Sequence, residues 1–300
     1  MSTELELKFS MSASSLPEVI ALLPALGRVQ HHEQNDLLNA YFDTAQQWFR
    51  QHDMGLRTRL KRGRYEQTIK LAGSQHGAMQ LRPEYNQLCA GVVPQLGAFP
   101  GEIWPPATDV AQLQSQLIEL FRTDFCRQSW QLLCQDGSLI ELVFDQGQIL
   151  ANGQSQAISE LELELLKGDA LQLFRLARQL LQQVPLATGW QSKAARGYRL
   201  MTQQRLSLPQ AVPDSLMAQV NALQLAEACY RQQQDGAALQ YAATVLQALT
   251  GALATEAALD GMSGQAAALA QRLMQGEAVF DLQIYHLLLL SLSEFLYQHN

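Results

Sequence analysis

Ser159-Glu160-Leu161-Glu162-Leu163-Glu164-Leu165-Leu166 alternates acid with leucine, and this stretch decides the fold. Residues two apart share one face of a strand, so Glu160, Glu162 and Glu164 stand together opposite Leu161, Leu163 and Leu165. The same rhythm runs through the first two-thirds of the chain. Glu4, Glu6 and Lys8 oppose Leu5, Leu7 and Phe9; Arg57, Arg59 and Lys61 oppose Leu56, Thr58 and Leu60. Arg64, Glu66, Thr68 and Lys70 form another polar face, as do Gln80, Arg82, Glu84 and Asn86, and Glu141 with Asp145. Eight strands are predicted, at 3–10, 35–44, 54–62, 64–71, 79–87, 123–134, 138–148 and 159–166. Arg62-Gly63-Arg64 and Asp136-Gly137 read as tight hairpin turns.

A lone strand with a charged face ordinarily turns that face to water. Two features argue otherwise here. The charged faces are sorted by sign, acidic at 159–166 and basic at 54–62. Amphipathic helices predicted at 14–26, 108–122, 169–183 and 192–201 can also cover the apolar faces. The strands would then close into a barrel without free edges, with the charges inside. Charges inside a barrel cannot stay dry and unpaired, since desolvation costs several kcal/mol per ion. The interior must hold water, or a metal with a polyanion: carboxylates for the metal, Arg and Lys for phosphate oxygens.

The remaining composition narrows the class. The chain has 300 residues, 47% hydrophobic and 16% charged, enough for about two domains. No run of about 20 apolar residues suggests a membrane span, and Thr3–Phe9 does not resemble a secretory leader. Cys89, Cys126, Cys134 and Cys229 lack metal or redox spacing, so reduced core thiols in a cytoplasmic protein are expected. The loop from Gly97 to Pro106 is rich in Pro and Gly. Beyond Leu206 the texture turns to Ala, Leu and Gln, with helices predicted at about 212–233, 236–250, 254–274 and 278–298. We therefore expect two domains, 1–205 and 206–300. The second carries only Arg231 and Arg272 against eight acidic residues, so a polyanion belongs to the first.

Glu4-x-Glu6-x-Lys8 is weak as a motif alone, but it has company in order along the chain. Gly55-Leu56-Arg57-Thr58-Arg59, Gln67-Thr68-Ile69-Lys70, Arg82-Pro83-Glu84-Tyr85-Asn86, Thr123-Asp124-Phe125-Cys126-Arg127, Leu161–Leu165 and Ser192-Lys193-Ala194-Ala195-Arg196-Gly197-Tyr198 follow it. Over residues 3 to about 201 the chain resembles the CYTH superfamily of triphosphate tunnel metalloenzymes. Its nearest resemblance within them is to bacterial inorganic triphosphatases in which a CHAD domain follows. The resemblance implies an α+β chain: an eight-stranded antiparallel tunnel with covering helices, then a small all-α bundle, using Mg²⁺ or Mn²⁺. Two departures stand out. Asn39 occupies a position that is often acidic in the family. The tail is acidic and shorter than a CHAD domain, with only His286 and His299, so it looks like half a CHAD domain or an unrelated bundle. The polyphosphate-binding role of CHAD is not carried over.

By resemblance and by face, Glu4, Glu6, Glu162 and Glu164 are the catalytic carboxylates and hold the metal, with either Glu6 or Glu164 as base. Asp145 joins the metal set or positions a cation, and the residues leave both open; Glu84 is similar. Lys8, Arg57, Arg59, Lys70, Arg82, Arg127 and Lys193 would grip the phosphates. Glu160, Lys61 and Arg64 are expected at barrel mouths, in solvent. The expected substrate is inorganic triphosphate. Alternatives are thiamine triphosphate hydrolysis, adenylate cyclisation, or a non-catalytic polyphosphate sensor. Nucleic acid is disfavoured, because base stacking needs aromatics along a basic groove. The tail is expected to be a packing or interaction module, meeting a second subunit or a protein partner through its apolar stripes, and a barrel cut near residue 205 to keep its catalytic residues.

Overall fold

The computed structural model describes residues 2–256 and 259–299. Ten strands form one antiparallel sheet: β1 (Ser2–Met11), β2 (Arg28–Asp43), β3 (Gly55–Lys61), β4 (Arg64–Lys70), β5 (Ser74–His76), β6 (Met79–Cys89), β7 (Ile118–Leu133), β8 (Leu139–Ala151), β9 (Gln154–Lys167) and β10 (Leu186–Gly189). Eight of them run β1-β9-β8-β7-β2-β3-β4-β6, and β1 pairs with β6 to close the barrel. In that seam Glu4 faces Arg82 and Glu6 faces Gln80. β5 and β10 are short additions on β6 and β1.

The alternation sends apolar side chains outward, where helices cover them. Leu5, Leu7 and Phe9 of β1 join Leu142, Phe144, Leu161 and Leu163 in one core with α1 (Leu16–Leu26) and α4 (Leu171–Leu181). Each such buried side chain contributes about 1.5–3 kcal/mol. A second cluster coats β2, β3 and β4 with α2 (Trp48–Gln51), α3 (Val110–Ser115) and the 90–106 loop, whose Leu96, Phe99 and Ile103 are buried. The other end differs. There α5 (Lys193–Thr202) packs across the inner-face residues Phe121, Phe125, Ile149 and Ile158, with Tyr198 among them. Gly197 is required at this crossing, because a Cβ would lie 2.1 Å from the Phe121 ring.

All eight expected strands are present, and several are longer than the alternation indicates. The expected helix 108–122 is a correction: α3 stops at Ser115, and Ile118 begins β7, pairing with Asp43 of β2. Sheet pairing and the Phe121–Tyr41 stack at 4.5 Å override the helical spacing of the leucines. Both expected hairpins form, with left-handed φ at Arg62, Gly63 and Gly137. All four cysteines are free, but only Cys134 and Cys229 are buried, so Cys89 and Cys126 are not core thiols.

The tail folds as α6 (Leu216–Gln233), α7 (Ala237–Thr255), α8 (Asp260–Met274) and α9 (Gln283–Gln298), with its own apolar core. α7 is long and apolar enough to cross a membrane by length and composition, but its Ala242, Val245, Leu246, Leu249 and Leu253 are buried in that core. α9 also serves the barrel, since its Leu290 lies in the core beneath α1 and α4.

Candidate active site

The barrel encloses a cavity of about 350 Å³, room for roughly ten waters. Every residue expected to act on the substrate lines it except Asp145, which lies directly behind. Eight acidic and eight basic side chains line the wall, so the cavity is neutral as a whole. Its charges are nevertheless unevenly paired, and this unevenness defines what it can bind.

One part is neutralised internally. Lys193, first residue of α5, brings Nζ to 2.7 Å from Asp145 and 3.1 Å from Glu162, and it also pairs with Glu160. Lys8 pairs with Glu162 and lies 3.5 Å from Glu160. Arg127 grips both oxygens of Asp145 at 2.7 Å and reaches Glu162 at 3.1 Å. Against the upward pull of burial, Lys193, Lys8 and Arg127 hold the Glu162 carboxyl well below its usual range. Glu160 is a correction: it is 3% exposed, tied to Lys8, Lys193 and Arg196, and not at a solvent mouth. Its cross-strand neighbour is Asp145, which explains why β9 and α5 lock together here. Lys61 lines the cavity and is bonded to Glu33 at 2.6 Å, and its hairpin neighbour Arg64 is exposed.

A second part is short of cations, though Lys8 Nζ lies 4.0 Å from Glu6. Strand register sets Glu6 of β1 beside Glu164 of β9, and Glu164 beside Glu141 of β8. Like charges side by side on neighbouring strands repel. Among the described residues, no hydrogen bond or ion pair reaches the Glu164 or Glu141 carboxylate. Burial, with Glu4, Glu141 and Glu6, pushes Glu164 up to about 8. Burial likewise raises Glu6 to about 6, with Lys8 opposing and Glu162 and Glu4 adding. Glu4 is partly offset by Lys70, which also lies 3.1 Å from Glu84. Glu84, despite burial, is brought to about 2 by Lys70 and Arg57.

A third part, around Arg59, lacks anions. Arg59 donates through Nε to Asn39 Oδ1 at 2.8 Å, and Asn39 donates to Thr123 at 2.7 Å. Burial, then Arg57 and Arg127, depress Arg59 to about 9. An acid at position 39 would neutralise it; asparagine holds the guanidinium without cancelling its charge. Arg57 Nε is buried without a partner, but Tyr41 bonds elsewhere on its side chain and Glu84 and Glu4 act on its charge. Arg82 lines the mouth with its guanidinium turned to the Leu71 and Asp53 carbonyls, at 3.1 and 3.4 Å.

Two acidic groupings therefore compete as metal sites. Asp145, Glu160 and Glu162 bring oxygens within 4.8 Å of one another, yet lysine and arginine already neutralise them. The Glu6–Glu164–Glu141 row, with Glu4 beside it, offers hard oxygen donors short of positive charge, and those donors fit a divalent cation. Glu141 and Glu160 were not assigned to the site from the sequence. Both carried a signal, since each shares an inward face with chosen residues.

The CYTH domain family matches residues 2–198, and the chain belongs to that family. An inorganic triphosphatase from Haemophilus influenzae is 34% identical over 215 residues, covering 69% of this chain and 57% of that protein. The chain thus spans a little over half the length of this curated relative. Among solved structures, a putative adenylyl cyclase from Hippeastrum, described as having a dominant triphosphatase activity, superposes with a TM-score of 0.45 at 16% identity, over 65% of this chain and 95% of that one. A putative adenylate cyclase from Bacillus halodurans gives 0.40 at 18% identity, over 64% and 96%.

Proposed function

We propose that residues 1–205 hydrolyse inorganic triphosphate to pyrophosphate and phosphate inside the tunnel, with Mg²⁺ or Mn²⁺, and that residues 206–300 are a separate helical domain. The observation that carries this reading is the split between a carboxylate row short of cations and Arg59, short of anions, facing one cavity. A polyanion accompanied by a divalent cation satisfies both at once; either alone satisfies only one. The relative named an inorganic triphosphatase supports the same reading.

Glu4, Glu6 and Glu164, with Glu141 adjoining, would hold the cation, which when bound supplies neutralisation of phosphate oxygens. Asp145 and Glu162, included in the metal set from sequence, act in this reading mainly by fixing Arg127, Lys8 and Lys193. Arg59, whose charge is left uncancelled, and its neighbour Arg57 form the primary phosphate grip, since a planar guanidinium fork matches a phosphate bidentately. Lys8, Arg127 and Lys193 make a rigid floor of N–H donors, and Lys70 and Arg82 flank the entrance. Glu6 or Glu164, both facing the cavity, is placed to take the proton from an in-line water. Four free thiols accord with a cytoplasmic setting.

A nucleotide cyclase must also hold a base. Among the described lining residues the aromatic ring is that of Tyr41, already stacked on Phe121. A passive polyphosphate sensor would not need three adjacent carboxylates facing the phosphates. The test is phosphate release from triphosphate, pyrophosphate, ATP and thiamine triphosphate with Mg²⁺ or Mn²⁺. Triphosphate should be fastest, ATP slow and pyrophosphate negligible. A higher kcat/KM on ATP or thiamine triphosphate would overturn the substrate assignment.

A further inference from the structure

Lys193 enters the tunnel from the first residue of α5, so its ammonium position depends on the strap that precedes it, Thr188 to Ser192. Ser192 caps α5 by accepting from the Ala195 N–H at 3.1 Å. On the tunnel side, Gln80 Nε2 donates to the Trp190 carbonyl at 2.8 Å. Gly189 lies opposite Lys8, where a Cβ would come within 3.1 Å of the lysine stem.

The other edge of the strap belongs to the helical domain. The Thr188 N–H donates to His286 Nδ1 at 3.1 Å, and His286 Nε2 donates to the Phe280 carbonyl at 2.8 Å. Trp190 Nε1 donates to the Gln224 carbonyl on α6 at 3.2 Å. Gln232, also on α6, donates to Gln191 Oε1 at 3.2 Å, and the same oxygen accepts from Arg199 of α5 at 2.7 Å. Helices α6 and α9 thus hold three of the four residues before the α5 cap.

We infer that the helical domain seats this strap, and that Trp190 is a positioning residue that sets where Lys193 meets Asp145, Glu160 and Glu162. This rests on the tunnel being the reaction site. The cluster offers little tolerance: Asp145 and Glu160 are buried side by side, and a lysine displaced from between them leaves two adjacent buried carboxylates with one cation fewer. Small misplacements of a binding group cost catalysis heavily even when nothing touches substrate directly. Seating the strap is a task for the acidic tail that needs no basic face.

The experiment uses the full chain with Mg²⁺ and triphosphate. Trp190→Phe keeps an aromatic side chain and removes the indole N–H. It is expected to lower kcat/KM roughly three- to tenfold, as for one lost neutral hydrogen bond. Lys193→Ala lowers it on its own, and in that background Trp190→Phe should change nothing further. Gln232→Ala, at an exposed helix position, is a gentler second probe that should show the same dependence on Lys193 if Trp190→Phe fails to fold. Lys193→Ala with wild-type activity would overturn the tunnel reading itself. An impaired Lys193→Ala, combined with a silent strap variant or with fully additive losses, would overturn only the positioning role.

Discussion

Glu164→Gln keeps side-chain shape and deletes the middle charge of the Glu6–Glu164–Glu141 row. In the metal-free chain that charge is unfavourable: burial first, then Glu4, Glu141 and Glu6, carry the carboxyl from 4.5 to about 8. At about 1.4 kcal/mol per tenfold, the rise caps the destabilisation at about 5 kcal/mol. The partly open cavity screens the charge, so the substitution should return about 1–3 kcal/mol. The folded pKa lies above the unfolded one, so the wild type carries no penalty below pH 4.5. The penalty grows as pH rises toward 8 and is constant beyond. In chelator at pH 8.5 the variant should therefore melt above the wild type, and at pH 4 the two should coincide. A divalent cation reverses the order, because at a hundred times its Kd it adds about 2.7 kcal/mol to whichever protein binds it, and the variant has lost a ligand. With Mg²⁺, kcat should fall roughly 100-fold, about 2.7 kcal/mol of transition-state stabilisation. Thermal melts in chelator and in Mg²⁺, read beside phosphate release, check all three. Equal melting in chelator at pH 8.5, together with equal Mg²⁺ stabilisation, would refute the carboxylate row as a cation site.

Arg59→Ala should raise KM for triphosphate more than it lowers kcat, and Arg59→Lys should recover only part, since an ammonium cannot reproduce the fork held by Asn39; wild-type KM in both variants would remove β3 from the ligand. Long-chain polyphosphate should compete through the tunnel alone. In the tail, Arg272 is already paired with Glu277, and Arg231 with Glu227 and Asp281. Inhibition by polyphosphate should accordingly weaken in Arg59→Ala and persist in Arg272→Gln, and the reverse pattern would return polyanion capture to the helices.

The barrel was legible because its strands alternate with apolar residues on one face and charge on the other, and only closure turns such charges inward without leaving edges. The alternation was less informative where a strand passes another element. Residues 28–34 of β2 are mostly exposed and polar, so nothing in their pattern marks them as strand; their pairing with β7 supplies the reason. Asn152-Gly153 did carry a turn signal, with left-handed φ at both residues, and it explains why β8 and β9 run on to meet there. Inner positions Phe121, Phe125, Ile149 and Ile158 are apolar because α5 covers them, a contact between residues far apart in the chain. The same limit applies to the tail. Its helices and acidity could be read directly, but not that Leu290 would complete the barrel's coat or that α6 would reach Trp190.

Residue identity revealed which charges enter the tunnel, but register decides which of them are spent. Glu160, Glu162 and Glu164 are equivalent in the sequence and lie on one face of one strand. In the barrel, Glu160 stands beside Asp145 and receives Lys193 and Lys8, while two positions on Glu164 stands between Glu6 and Glu141. Glu162, between them, is held by three cations, and Glu164 is bonded by none among the described residues. The arginines divide in the same way, with Arg127 locked onto Asp145 and Arg59 left on a neutral amide. A tunnel in which every charge found a partner would be a well-packed core with no reason to admit a ligand. Binding requires the unpaired remainder, an excess of negative charge on β1, β8 and β9 and of positive charge on β3, and that remainder is a property of cross-strand neighbours that no linear motif encodes.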